Sequence, residues 1–154
     1  MLHYNFLFGS LNLTNLEGYT DDYYDSINLA TLDQIQALKW ISENVEYFGG
    51  DSDNVTVAGQ SSGSGSVSTL LAIDNATKYF NNAILESGTM YNRTISVSES
   101  EERADKFFDI MNVDTMDEFL ALSEKDIAKK YDKIDEALHL DTNVPEPQRV
   151  ADGR

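Results

Sequence analysis

Five residues constrain this chain more than any others: Gly59-Gln60-Ser61-Ser62-Gly63. They match the pattern G-x-S-x-G, and they stand where that pattern has physical meaning. Before them, Val55-Thr56-Val57-Ala58 is short and β-branched, so it reads as a buried strand. After them the glycine-serine stretch from Gly59 to Ser66 runs into Val67-Ser68-Thr69-Leu70-Leu71, which reads as helix. A serine between strand and helix sits on a turn so sharp that its neighbours come close to its backbone. Gly59 and Gly63 are expected to supply the clearance, having no Cβ. Ser61 is then the candidate nucleophile, at a helix N-terminus where free N–H groups and the dipole favour developing negative charge. The backbone N–H of Ser62 is placed to donate to the oxyanion of an acyl-transfer intermediate. A phosphate-cradling loop is the competing reading of Gly59 to Ser66. It requires a lysine after the final glycine, but Ser66 follows Gly65 and the next lysine is Lys78.

The flanking segments repeat an α/β rhythm. Leu32, Ile35, Leu38, Ile41, Val45 and Phe48 recur every three or four residues, which predicts one helix with a single apolar face. Thr31 with Gln34 is expected to form its capping box, and Gly49-Gly50 its stop. Asp51-Ser52-Asp53-Asn54 is a turn, and Ala83-Ile84-Leu85 a second short buried strand ended by Ser87-Gly88. Helix, strand, tight turn, helix, strand implies parallel strands. Near residue 95 the composition shifts to acidic helices. Ser98 with Glu101 and Thr115 with Glu118 resemble capping boxes. Phe107, Phe108 and Met111 mark one helix face, Phe119 and Leu122 another, and Ile127, Tyr131, Ile134 and Leu138 a third. Residues 1–30 and Val144 to Arg154 read as loop.

Composition excludes several classes. Of 154 residues, 41% are apolar and 25% charged, which suits a globular domain rather than a disordered tail or a fibre. Eleven basic residues against 27 acidic ones leave a net charge of −16, a field that repels phosphate backbones and anionic lipid. Nucleic acid is not an expected partner. With no cysteine, a disulfide, a thiolate metal site and a cysteine nucleophile are all impossible. No apolar run approaches the roughly 18 residues of a membrane span, and Met1 to Phe8 lacks the features of a signal peptide. Four sequons, at Asn12, Asn54, Asn75 and Asn92, read as coincidence in a chain rich in Asn and Thr. Asp51 to Asn54 lacks the spaced ligands and bidentate Glu of a calcium loop. The aromatic run Tyr19 to Tyr24 either lines a substrate gorge or covers a core, and the second is the simpler reading. Nothing in the pattern recommends His3 or His139 as a catalytic base.

Several spaced motifs together resemble one family. They are Asn28 to Gln34, Ala37-Leu38-Lys39-Trp40-Ile41, Asn44, Phe48-Gly49-Gly50-Asp51, Asn54-Val55-Thr56, the serine pattern itself, Phe80, Ala83-Ile84 and Ser87-Gly88. In this order they resemble the type B carboxylesterases, the cholinesterase and para-nitrobenzyl esterase relatives within the α/β-hydrolase fold. Ala151-Asp152-Gly153 is similar to the family's Val-Asp-Gly. The resemblance implies a partial α/β-hydrolase fold, with a parallel-strand core around a nucleophile elbow, followed by an acidic helical segment.

It implies Ser61 as the nucleophile that forms the acyl-enzyme, Ser62 as one oxyanion N–H, and Gly59, Gln60 and Gly63 as the rest of the elbow. Ser87 would sit near the triad acid, and Asp33, Trp40 and Asp51 would be scaffold. The family usually has Glu and Ala beside the serine, where this chain has Gln60 and Ser62. The lost charge at Gln60 disfavours cationic esters such as choline esters. The implied substrate is a small-molecule carboxylic ester, with no cofactor and no metal; the resemblance leaves oligomeric state and compartment open. A single partial domain over residues 1–154 is expected: a core portion at 1–95, helices at 96–143 and a loop at 144–154. The family's glycine-rich oxyanion loop, triad acid and histidine have no counterpart among these motifs, so the chain reads as an internal piece of an esterase. The alternative is a non-catalytic, cholinesterase-like adhesion or binding protein. The chain alone is expected to hydrolyse a chromogenic short-chain ester very slowly or not at all. Robust turnover lost in Ser61→Ala would show that the chain holds a complete site.

Overall fold

The computed structural model describes residues 9–88, 94–139 and 149–150. The chain divides into two compact units, one built from 29–94 and the other from residues before 29 and after 94.

The first unit carries the serine. It begins with helix α1 (Leu29–Asn44), extended by a 3-10 turn at Val45–Phe48. Strand β1 (Thr56–Gln60) leads directly into α2 (Ser62–Leu71), and a 3-10 turn at Thr77–Tyr79 precedes β2 (Asn82–Glu86). The strands are parallel, in register from Thr56 opposite Asn82 to Gln60 opposite Glu86. Asn81 sets that register. Its side-chain oxygen accepts the Val55 N–H at 2.9 Å, and its own N–H donates to the Val55 carbonyl at 2.8 Å. Ile35, Leu38, Val55, Leu70, Ala76 and Phe80 form the core, with Ile41, Val57 and Ala83 packed on it.

Four expectations need correction here. The helix starts at Leu29, so Thr31 lies buried inside it rather than capping it with Gln34. A 3-10 helix at Asp21–Asn28 leads directly into α1 where a loop was expected. Leu32 and Phe48 are exposed rather than on the buried stripe. Phe48 falls off it because the last four residues wind at about three residues per turn, which breaks the 3.6-residue period. The stop itself is as the glycines predict: Gly49 is left-handed, at φ 80°, and donates to the Glu46 carbonyl at 3.0 Å. The strands are not fully buried either, since Ile84 is 49% and Leu85 40% exposed. Among the described residues this sheet has only two strands, so β2 has an unpaired edge.

The second unit holds β3 (Thr94–Ile95), α3 (Val97–Met111), α4 (Met116–Leu120), α5 (Glu124–His139) and β4 (Arg149–Val150), which pairs with β3. Phe107, Phe108, Met111, Ile127, Ile134 and Leu138 form its core as their spacing predicts, while Tyr131 is exposed. Leu122 packs against the core from just beyond α4. Leu11, Leu13 and Leu16 join this core, so residues before Asn28 pack with the helical segment instead of forming a free loop. Tyr19 and Tyr23 cover it, the simpler of the two readings of the aromatic run. Asn12 is buried, with its amide donating to Ser100 Oγ at 2.9 Å and its oxygen accepting from Thr14. Its sequon is therefore a packing motif. Arg149–Val150 is strand rather than loop, and the rest of 144–154 lies outside the described residues, as do Asn92 and residues 1–8.

The capping box of α3 is formed by Ser96 and Glu99, two residues earlier than the expected Ser98 and Glu101. That of α4 is Thr115 with Glu118, as read. In each box the carboxylate accepts backbone N–H groups. Glu99 takes the Ser96 N–H at 2.8 Å and its hydroxyl at 2.9 Å, while Glu118 takes the N–H of Asp114 at 3.0 Å and of Thr115 at 3.1 Å. These bonds hold both carboxyls below their ordinary pKa of 4.5. A lowered folded-state pKa gives stability that is present above the ordinary value and lost as pH falls through the folded one. Acidification below about pH 4.5 should thus fray the first turns of α3 and α4, seen as lower amide protection factors at Glu99 and Glu118 once the intrinsic pH dependence of exchange is divided out. In Ser96→Ala the Glu99 titration midpoint, followed by NMR, should rise toward the ordinary value.

Candidate active site

The serine pattern forms a sharp strand-to-helix reversal. Gly59 and Gln60 end β1, Ser61 turns the chain, and Ser62 is the first residue of α2. Ser61 has φ 54° and ψ −117°, a sparsely populated conformation for a residue with a side chain. Serine at a helix N-cap ordinarily adopts extended backbone and turns its hydroxyl onto an N–H of the first turn. Ser61 does neither: its side chain makes no capping bond and is half-exposed. The hydroxyl is held out of the hydrogen bond that would otherwise occupy it.

The surrounding backbone sets this geometry. A Cβ on Gly59 would collide with the carbonyl of Gly63 and lie 2.7 Å from Ser64 N, so residue 59 must be glycine for α2 to fold back over the strand. Gly63 is different, because a Cβ there would meet nothing within 4 Å. The clearance expected of both glycines falls on Gly59 alone, with Gly63 contributing the backbone that needs the room. The first backbone bond of the helix runs from Gly65 N–H to the Ser61 carbonyl at 3.1 Å. The N–H groups of Ser62, Gly63 and Ser64 precede it and point out of the helix end.

The end of β2 closes on the same residue. Ser61 N–H donates to the Glu86 carbonyl at 2.8 Å, extending the strand pairing by one residue. Ser87 follows with φ 56°, an exposed residue in left-handed backbone. A Cβ on Gly88 would collide with the Ser61 carbonyl and lie 3.1 Å from Ser64 Cβ. Ser64 is 0% exposed and donates its hydroxyl to the Gly88 carbonyl at 2.6 Å. The sequence marks Gly88 as a strand end and as part of the Ser87-Gly88 motif, and Ser64 as part of a glycine-serine stretch, but gives neither a part in the elbow. The sole hint in the sequence is that Gly88 directly follows Ser87. Glu86, also passed over, stands opposite the exposed Gln60 in register, so a carboxylate flanks the elbow on the neighbouring strand.

The other candidates separate clearly. His3 lies outside the described residues, and His139 ends α5, with its side chain outside the description. Asp33 lies in α1, as does Trp40, which is 52% exposed and packs on Phe48 with the rings tilted by 46° and their centroids 6.1 Å apart. Asp51 is a turn residue, its carboxylate accepting the Asp53 N–H at 2.9 Å and its carbonyl the Asn54 N–H at 3.1 Å. Among the described residues no cluster of His, Cys, Asp or Glu could hold a metal ion, and no helix is long and apolar enough to cross a membrane.

Parallel strands joined through a serine elbow and a helix define a partial α/β-hydrolase fold. The family model of the carboxylesterase family matches residues 20–147. Para-nitrobenzyl esterase of Bacillus subtilis (strain 168) is 36% identical over 132 residues, covering 84% of this chain and 26% of that protein. A probable N-octanoylanthranilate hydrolase, AqdA2 of Rhodococcus erythropolis, is 42% identical over 80 residues, 52% of this chain and 18% of that protein. The crystal structure of carboxylesterase EST55 from Geobacillus stearothermophilus at pH 6.2 superposes with a TM-score of 0.80 at 31% identity, covering 96% of this chain and 29% of that one. The chain belongs to the carboxylesterase family. It spans about a quarter of the length of the para-nitrobenzyl esterase.

The two glycines should respond differently to a methyl group. Gly59→Ala should destabilise the chain by on the order of 1–3 kcal/mol or more, as overpacking against backbone does. Gly63→Ala should be neutral or stabilising by up to about 1 kcal/mol, since alanine favours helix over glycine. Urea unfolding of the two variants beside the parent chain measures both.

Proposed function

We propose that the protein carrying this chain hydrolyses carboxylic esters of small molecules, with Ser61 as the nucleophile. One observation carries the reading: Ser61 is held in strained backbone at a helix N-terminus with its hydroxyl free of the capping bond. Strain of this kind persists only where the surroundings over-determine it, and it concentrates at functional sites.

The chemistry follows from the groups around it. Ser61 Oγ attacks the ester carbonyl carbon and gives up its proton to a general base. The carbonyl oxygen becomes an oxyanion, which the Ser62 N–H stabilises at the positive end of α2. Collapse expels the alcohol and leaves an acyl group on Ser61. Water then attacks that carbonyl, the carboxylic acid leaves, and the hydroxyl is regenerated. In α/β hydrolases the triad acid and then the histidine follow the serine in chain order. The resemblance implies that both follow the Ala151-Asp152-Gly153 segment, and that Ser87 stands near the acid. Each step is a proton transfer or an acyl transfer and requires no cofactor.

A fluorophosphonate probe reacts with an activated serine, so it tests the reading directly. In the complete gene product the probe should label Ser61, and Ser61→Ala should abolish both labelling and ester hydrolysis. A folded protein that takes no label would favour the non-catalytic adhesion or binding alternative.

A further inference from the structure

The chain devotes a fully buried hydroxyl to the elbow that acyl transfer does not use. Ser64 is 0% exposed, and its Oγ donates to the Gly88 carbonyl at 2.6 Å, joining the first turn of α2 to the residue that follows Ser87. The bond is short, and it bridges 24 residues of chain. Its partner is not a distant strut. A Cβ on Gly88 would collide with the Ser61 carbonyl, so Gly88 packs closely against the nucleophile's own carbonyl.

Three attachments therefore meet at Ser61. Its N–H is held by the Glu86 carbonyl at 2.8 Å, and its carbonyl accepts the Gly65 N–H at 3.1 Å. Gly88, which Ser64 holds by its carbonyl, packs against that same Ser61 carbonyl. The first two are ordinary strand and helix bonds. Only the third depends on a side chain. A backbone at φ 54° relaxes unless its neighbours prevent it, and Ser87, at φ 56°, is a second residue at positive φ, just past the end of the neighbouring strand.

We propose that Ser64 is a positioning residue for the nucleophile: its bond to the Gly88 carbonyl locks the end of β2 against the Ser61 peptide and so fixes where Oγ points. This rests on the reading of Ser61 as nucleophile. Without the Ser64 hydroxyl, the Gly88 carbonyl loses its buried partner, the Glu86–Gly88 segment gains freedom, and Ser61 loses its third restraint. Misplacement of a nucleophile by about an ångström costs up to roughly a hundredfold in rate, so a partial loss of restraint should cost about tenfold. Substrate binding should be little changed, because Ser64 is buried beneath the elbow and does not face solvent.

The test uses the complete gene product and three variants, with a fluorophosphonate probe, a chromogenic short-chain ester and a thermal melt. Ser61→Ala is the control: persistence of labelling in it, or a parent protein that takes no label, removes the nucleophile reading and this proposal with it. Given a labelled parent, Ser64→Ala should slow labelling and lower kcat by about tenfold with KM nearly unchanged. Ser64→Cys fills the same space but donates only weakly, so it should be slowed as well. Slowing of both variants with KM retained supports positioning by the hydrogen bond. Slowing of Ser64→Ala alone overturns it in favour of space-filling, and parental rates in both, with or without a lower melting temperature, overturn it outright. If Ser64→Ala does not fold, the rate of Ser64→Cys decides alone.

Discussion

The absence of a side chain at Gly59 governs the geometry of the first unit. The backbone of Gly63 and Ser64 occupies the space where a Cβ would stand. Because that space is free, α2 can start one residue after β1 ends, without an intervening loop. The strained conformation of Ser61, the outward-facing N–H groups of Ser62 to Ser64 and the approach of Gly88 all follow from this reversal. A longer connection would relieve the strain and separate the hydroxyl from the positive end of the helix. The closeness of the Ser61 hydroxyl to the N–H groups of the helix end is thus a matter of backbone packing, decided two residues before the serine itself.

How much of this was legible in the sequence depends on the range of the interactions. The serine elbow was readable because its demands are local: a β-branched strand, glycine at a fixed offset and a helix immediately after. The capping box at Thr115 and Glu118 was readable for the same reason, and so was the Gly49 stop. The box at Ser96 is not legible because Ser96-Val-Ser-Glu99 and Ser98-Glu-Ser-Glu101 satisfy the same pattern in overlapping frames, and only the position of the helix start selects between them. The entrance to α1 departs from the sequence pattern because Asp21–Asn28 winds as a 3-10 helix directly into it, leaving Thr31 no free end to cap.

What depends on distant pairing was not legible. Leu11, Leu13 and Leu16 follow no regular period, and they owe their burial to helices nearly 100 residues later. Asn12 presents a sequon on paper and a buried link to Ser100 in space. Within the site, the Ser64–Gly88 bond spans 24 residues and has no motif of its own. Glu86 shows the same limit. Gln60 reads as a charge removed from beside the serine, but the parallel register sets a carboxylate across from it on the adjacent strand.

The composition of α2 has a consequence for how the site comes into being. Its first turns read Ser62-Gly63-Ser64-Gly65-Ser66, among the weakest helix formers available. Such a segment does not nucleate a helix by itself; it becomes helical when Val67 and Leu70 are buried and β1 is paired with β2. In a nascent or unfolded chain Ser61 is then an ordinary flexible serine with no dipole behind it. The reactivity proposed for it arrives together with tertiary structure and is lost with it. Labelling at Ser61 would therefore report on the fold as well as on the chemistry.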